Sequence, residues 1–336
     1  MNRITARPRF GVVVLLTLCL LPSLAAAQIP QFDCFYVFGD SLADNGNTLI
    51  QTTKMGLKPP VPPSASPHRS YFDGRFSNGY IAFEYLWKFL SHHKLDSAMA
   101  LQPFLESPFG QKGCAFNFAF GGTGTAYVDQ TPGGFWSPGL KGQVELFRLA
   151  LRGRKPSPRS LYAIVTGAND YGPEDGPPNP GAVVGNIKAA IDRLYELGAR
   201  HVIVLDLPDL GMIPGYPPSA SVVSAAHNAE LKKAIADLKA RYPKLTLIPV
   251  ELAPLFDDLQ SDDPYGGQIP LMALLPGAPA GIAACLFVNP ASCINMDSLF
   301  FNSDMHFLFW DIVHPTTEAH QRLAEEIHLQ LGNAYK

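Results

Sequence analysis

Charge is scarce in this chain. Of its 336 residues only 16% are Asp, Glu, Lys or Arg, against 47% hydrophobic. That balance excludes a disordered chain and implies a folded globular protein with a sizeable core. The net charge is −3, and no long block of Lys and Arg occurs. There is thus no electrostatic case for nucleic acid and none for polybasic attachment to a membrane. Metal-ligand spacing is also missing. Neither Cys-x-x-Cys nor His-x-x-x-His occurs, so no metal and no cofactor is expected. The chain has no internal repeat and no low-complexity tail.

Long apolar runs are nearly absent. One lies at the start, where Arg3, Arg7 and Arg9 precede the apolar run Gly11 to Leu21, followed by Pro22-Ser23-Leu24-Ala25-Ala26-Ala27. The run is shorter than the roughly 20 residues of a spanning helix. With its basic start and Ala-x-Ala end it reads as a signal peptide, residues 1–27, cleaved near Ala27. Residues 28–336 are then a single domain, secreted or periplasmic, with no integral membrane segment. Leu271 to Val288 is apolar too, but Pro276, Gly277, Pro279 and Gly281 interrupt it, and a structured loop is expected there.

Cysteine is rare, five in all. Cys19 leaves with the leader. Cys34, Cys114, Cys285 and Cys293 remain, an even number in an oxidising compartment. Cys285 and Cys293 flank a Pro-containing turn and suit a local disulfide. Cys34 and Cys114 each stand at the start of a candidate strand, and they can bridge if those strands are neighbours; two buried free thiols are the alternative.

What is present is an alternation of apolar strands and helices. Strands are predicted over 34–38, 115–120, 161–166, 201–205 and 245–250. Helices are predicted from Ser77 or Asn78 through Phe89, and over 140–151, 183–197, 219–242 and 316–331. Near-continuous apolar strands alternating with helices indicate an α/β protein with a five-stranded parallel sheet covered on both faces.

Short polar segments fall at or beyond the predicted strand ends, where α/β sheets bind ligands. The first is Phe38-Gly39-Asp40-Ser41-Leu42. Ser41 there is either a helix cap or a nucleophile. A nucleophilic serine needs a base, an orienting acid and oxyanion donors. His314 can be the base, and Asp311, three residues earlier, can hold one ring nitrogen. Pro315 is expected to pre-set the following helix. The backbone N–H of Gly122, the side-chain amide of Asn169 and the N–H of Ser41 itself can hold the oxyanion. Read singly, Gly122 suits a turn, Asn169 an Asx turn and Asp311 a helix cap equally well.

Four blocks in order resemble the SGNH hydrolases, also called GDSL lipases or esterases. They are Gly39-Asp40-Ser41-Leu42, Asn117-Phe118-Ala119-Phe120-Gly121-Gly122, Gly167-Ala168-Asn169-Asp170 and Asp311-Ile312-Val313-His314-Pro315. The resemblance covers nearly the whole chain after the leader. It implies a flavodoxin-like three-layer α/β/α sandwich and ester hydrolysis by a triad of Ser41, His314 and Asp311, with no metal. Asp44-Asn45-Gly46-Asn47, Gly74-Arg75-Phe76-Ser77-Asn78-Gly79 and Phe309-Trp310-Asp311 resemble the lipase and phospholipase branch, here without the β-barrel transporter that some members carry. Ala43 departs from the serine of many relatives. Gly-x-Ser-x-Gly, the α/β-hydrolase signature, is absent at Ser41.

The expected activity is that of an exported serine esterase or lipase acting on a small-molecule or lipid ester. Acyl transfer, lysophospholipase action and carbohydrate deacetylation use the same residues and remain alternatives. For the deacetylase, Tyr71, Phe72, Tyr127, Phe135 and Trp136 would line a sugar platform. A binding protein that kept the fold without activity is the rival of a different class.

Overall fold

A computed structural model describes residues 29–106, 115–172, 179–261 and 308–336, with the backbone alone for 257–261. The strands are β1 (Cys34–Gly39), β2 (Gln102–Pro103), β3 (Ala115–Asn117), β4 (Asp129–Gln130), β5 (Trp136–Ser137), β6 (Ser160–Val165), β7 (His201–Leu205) and β8 (Thr246–Val250). The α-helices are α1 (Asn47–Lys54), α2 (Ala82–Ser91), α3 (Leu140–Leu151), α4 (Pro180–Leu197), α5 (Ala220–Arg241), α6 (Leu252–Ser261) and α7 (Thr317–Asn333).

The central sheet is parallel, in the order β2-β3-β1-β6-β7-β8. It has six strands among the described residues rather than five. The added strand, β2, is two residues long at one edge, too short to carry any sequence period. Without β2 the order is the flavodoxin-like 2-1-3-4-5. β1 lies between β3 and β6, so crossovers leave it in opposite directions. The crevice that this switch opens lies beyond the C-terminal end of β1, where Ser41 follows.

Alternate residues of each strand face opposite layers, as the pleat requires. Phe35, Val37, Leu161, Ala163 and Ile203 join Phe83 and Leu86 of α2 and Leu323 and Ile327 of α7 in one buried cluster. Tyr36, Phe38, Tyr162, Ile164 and Val202 join Val144 and Phe147 of α3, Ile187 and Ile191 of α4, and Leu231 and Leu238 of α5 in the other. Burial on both faces is why these strands read as unbroken apolar runs.

Helix ends follow local chemistry where local partners exist. Asn179 Oδ1 accepts the Ala182 N–H at the start of α4, and Gly198 (φ +118°) closes that helix in the left-handed region. The expected start of α2 at Ser77 or Asn78 is not observed. The helix begins at Ala82, and the Ile81 N–H donates to Glu84 Oε2 at 3.1 Å. Ser77 and Asn78 instead bond to Pro315 O and the Thr317 N–H, more than 230 residues away. Cys34 is buried at the start of β1; Cys114, Cys285, Cys293 and the run Leu271 to Val288 lie outside the described residues. Among the described residues no helix is long and apolar enough to cross a membrane.

Candidate active site

The turn after β1 is set by Gly39. A Cβ on Gly39 would stand 2.1 Å from Val165 O, so only glycine lets β1 and β6 stay in register up to the turn. Gln143 of α3, fully buried, closes the neighbouring groups. Its Oε1 accepts the Gly39 N–H at 2.8 Å, and its Nε2 donates to Gly39 O at 2.8 Å and Pro138 O at 3.0 Å. The chain then turns at once: the Ala43 and Asp44 N–H groups donate to Asp40 O. Ser41 is thereby presented at the rim, half-buried.

Ser41 Oγ lies 2.8 Å from His314 Nε2, and His314 Nδ1 lies 2.6 Å from Asp311 Oδ2. An ionised carboxylate only accepts, so Nδ1 carries the proton and Nε2 is left to accept from the Ser41 hydroxyl. Asp311 is fully buried and His314 nearly so. Oδ1 of Asp311 accepts the Val313 and His314 N–H groups at 2.8 Å each, and Oδ2 also accepts the Tyr71 hydroxyl at 2.7 Å. Burial pushes this carboxyl up, but the His314 charge and these hydrogen bonds outweigh it, so its pKa lies below the ordinary value. The Trp310 N–H donates to His314 O at 2.7 Å and closes the turn. Pro315 does not stand in the first turn of α7. It forms a bridge with Phe309, and Thr316 caps the helix.

Asp44 anchors the opposite wall. Its Oδ1 accepts the Gly46 and Asn47 N–H groups at 2.8 and 2.7 Å, and its Oδ2 accepts those of Thr48 and Gly121 at 3.1 and 3.0 Å. Asn47 Nδ2 donates to Asn117 O and Ala119 O, and Asn117 Nδ2 donates to Ala43 O. These bonds tie the chain after Ser41 to the segment that ends in Gly121-Gly122. Gly122 has φ +74°, which favours glycine. Asn169 follows β6 beyond Gly167 (φ +121°), and its Nδ2 donates to Thr123 O at 3.0 Å. One amide hydrogen of Asn169 therefore holds the residue beside Gly122; the amide has a second to offer.

Asp40 is fully buried, and burial pushes its carboxyl up to about 7. Its Oδ1 accepts the Leu42 N–H at 3.0 Å. His320, buried in the first turn of α7 near His314, is held down to about 3 by burial, so it stays neutral. The structure brings Ser41, His314 and Asp311 into one chain of hydrogen bonds and links Gly122 to Asn169 through Thr123. The aromatics grouped as a sugar platform differ in burial. Tyr71 and Phe135 are buried, while Tyr127 and Trp136 are each 60% exposed. Gln143 and Asp44 are not identified from sequence as site residues, and Tyr71 only as one aromatic of a sugar platform. Asp44 stood in a quoted block, but no sequence signal marks Gln143 or the Tyr71 contact. Among the described residues no cluster of three or more His, Cys, Asp or Glu is placed to hold a metal ion.

Comparison with known proteins bears on this arrangement. The family model for GDSL-like Lipase/Acylhydrolase matches residues 35–327. Phosphatidylcholine-sterol acyltransferase of Aeromonas hydrophila is 29% identical, covering 96% of this chain and 97% of its own. A GDSL esterase/lipase of Arabidopsis thaliana is 25% identical, covering 88% and 87%. Among solved structures, an alpha/beta hydrolase from the metagenome of Lake Arreo is similar at a TM-score of 0.44 and 13% identity, covering 90% of this chain and 96% of its own. The family match defines an enzyme that acts on ester bonds. The chain belongs to the GDSL-like lipase/acylhydrolase family.

Proposed function

We propose that the protein is an exported serine esterase or lipase that works through an acyl-enzyme on Ser41. The observation that carries this reading is the continuous chain from Asp311 through His314 to Ser41 Oγ. His314 Nε2 takes the hydroxyl proton as Ser41 Oγ attacks the acyl carbonyl. Asp311 holds the ring and stabilises the imidazolium that forms. The Ser41 and Gly122 N–H groups and the Asn169 amide stabilise the oxyanion, a contribution of about 3–4 kcal/mol for each good donor. His314 then returns its proton to the leaving alcohol. Water, deprotonated by His314, releases the acid.

Export and disulfide formation belong to the same reading. Residues 1–27 are taken as the cleaved leader and 28–336 as one domain. Cys34, buried at the start of β1, is proposed to be disulfide-bonded. The β1–β3 register pairs Phe35 with Ala115, and Cys114, which precedes Ala115 in the sequence, is the partner proposed for Cys34. Strand neighbours about 4.8 Å apart fall within disulfide reach. Cys285 with Cys293 is proposed as the second bridge. Acyl transfer to an alcohol is the second reading, favoured by the likeness to the Aeromonas acyltransferase.

Wild type and Ser41→Ala are to be compared on p-nitrophenyl acetate and butyrate. Loss of turnover in the variant is expected, and equal turnover would remove the assignment. Product analysis with a lipid alcohol present separates transfer from hydrolysis.

A further inference from the structure

Tyr71 takes no part in the reaction as described, yet it is 1% exposed and its hydroxyl reaches Asp311 across 240 residues of sequence. We infer that Tyr71 is a positioning residue, which fixes Asp311 Oδ2 on His314 and so sets the proton affinity of the Asp311–His314 pair. The inference rests on the reading of Ser41, His314 and Asp311 as a triad.

The two carboxylate oxygens are held differently. Oδ1 is bound by the Val313 and His314 N–H groups of its own turn. Such bonds arise in any Asx turn and do not depend on the rest of the fold. Oδ2 faces His314 Nδ1, and its second donor is the Tyr71 O–H. Without Tyr71 the oxygen that orients the base would have one partner alone.

The placement of Tyr71 is built for this contact. Its N–H and that of Ser70 both donate to Pro63 O at 3.0 Å. Trp310 Nε1 donates to Ser70 O at 3.0 Å. Adjacent residues of one segment, Ser70 and Tyr71, thus grip adjacent residues of the other, Trp310 and Asp311. The Phe76 ring packs edge-on against Tyr71 and 5.2 Å from the His314 ring, centroid to centroid. If packing alone were required, phenylalanine would serve at 71. The hydroxyl also stays a donor: burial, and then the Asp311 charge, push its pKa well above the ordinary value.

Removing the hydroxyl leaves Oδ2 more basic, so the pair binds a proton more tightly. Asp40 and His320, the other titratable groups whose charge couples to His314, are unchanged by the substitution.

The test compares wild type, Tyr71→Phe, Asp311→Ala and the double variant on p-nitrophenyl butyrate from pH 5 to 9, with melting curves. Expected for Tyr71→Phe is a cooperative melt, kcat lower by about tenfold or more with KM within about twofold. The acid limb of its kcat/KM profile moves to higher pH. In the Asp311→Ala background the same change alters kcat by less than about twofold, because its partner is gone. Wild-type kcat and pH profile in Tyr71→Phe, or an equal loss in the Asp311→Ala background, would overturn the inference. So would a Tyr71→Phe protein that fails to fold, since the hydroxyl would then be a structural requirement. Ser41→Ala assayed alongside separates the two failures. Activity surviving there removes the triad and this role with it; a silent Tyr71→Phe beside an inactive Ser41→Ala removes only the role of Tyr71.

Discussion

Replacing Asp44 by Asn tests how the oxyanion side of the site is held. The carboxylate accepts four backbone N–H groups, two on each oxygen. An amide has one oxygen, so in either orientation two donors remain bound and two face an NH2 group. Each buried donor left unsatisfied costs about 1–3 kcal/mol, which gives roughly 4 kcal/mol for the pair. Two effects offset part of this. Burial pushes the Asp44 carboxyl above its ordinary pKa, so a neutral side chain sheds some desolvation penalty. The Gly121 N–H also donates to Thr48 Oγ1 at 2.8 Å and keeps that partner. A net loss of about 2–3 kcal/mol is expected, or roughly 3–5 °C in Tm for a domain of this size. Because Gly121 stays partly held, kcat should fall by only about tenfold. Thermal melts and initial rates on p-nitrophenyl butyrate measure both. A Tm within 1 °C of wild type would refute the reasoning, because four charge-assisted bonds cannot be halved at no cost.

Asp40→Asn changes the pH dependence of stability. The folded carboxyl is held up to about 7 by burial, whereas the unfolded one titrates near 3.9. The folded state therefore binds the extra proton between these values, and stability is lost as pH rises from about 4 through 7. At 1.36 kcal/mol per pH unit this is about 4 kcal/mol. Urea unfolding at pH 5 and 8 should show about 2–3 kcal/mol of this loss in wild type and not in the variant; an equal change in the two proteins would count against it. Asn169→Ala should fold normally and lose about a hundredfold in kcat, and a loss under threefold would remove Asn169 from the oxyanion site.

The fold was legible in the sequence where periodicity was long. β7 and α3 coincide with their predicted spans, and β1, β6, β8 and the long helices lie close to theirs, because continuous apolar runs and capping residues act locally; β3 ends at Asn117, three residues short of its predicted span. The positions of Ser41, Asn169, Asp311 and His314 were legible as well, since each sits in a short block at a strand or helix end. What escaped was set by partners far along the chain. Ser77 and Asn78 have the chemistry of helix caps, but they are drawn to Pro315 and Thr317. Helix α1 follows a polar stretch with little apolar period and is fixed at its start by Asp44. Gln143 lies in the first turn of α3 and satisfies a strand end 104 residues away. Tyr71 looked like one aromatic among several in a loop, and only the fold sets it against Asp311. Local pattern therefore marks the proposed reacting groups, and tertiary contact supplies the bonds that hold them together.

Labelling with a fluorophosphonate probe, followed by peptide mass spectrometry of the folded protein, tests the central claim most directly. The predicted result is one adduct, on Ser41, whose formation slows sharply in His314→Ala. No adduct, or an adduct on another residue with Ser41 unmodified, would contradict the account.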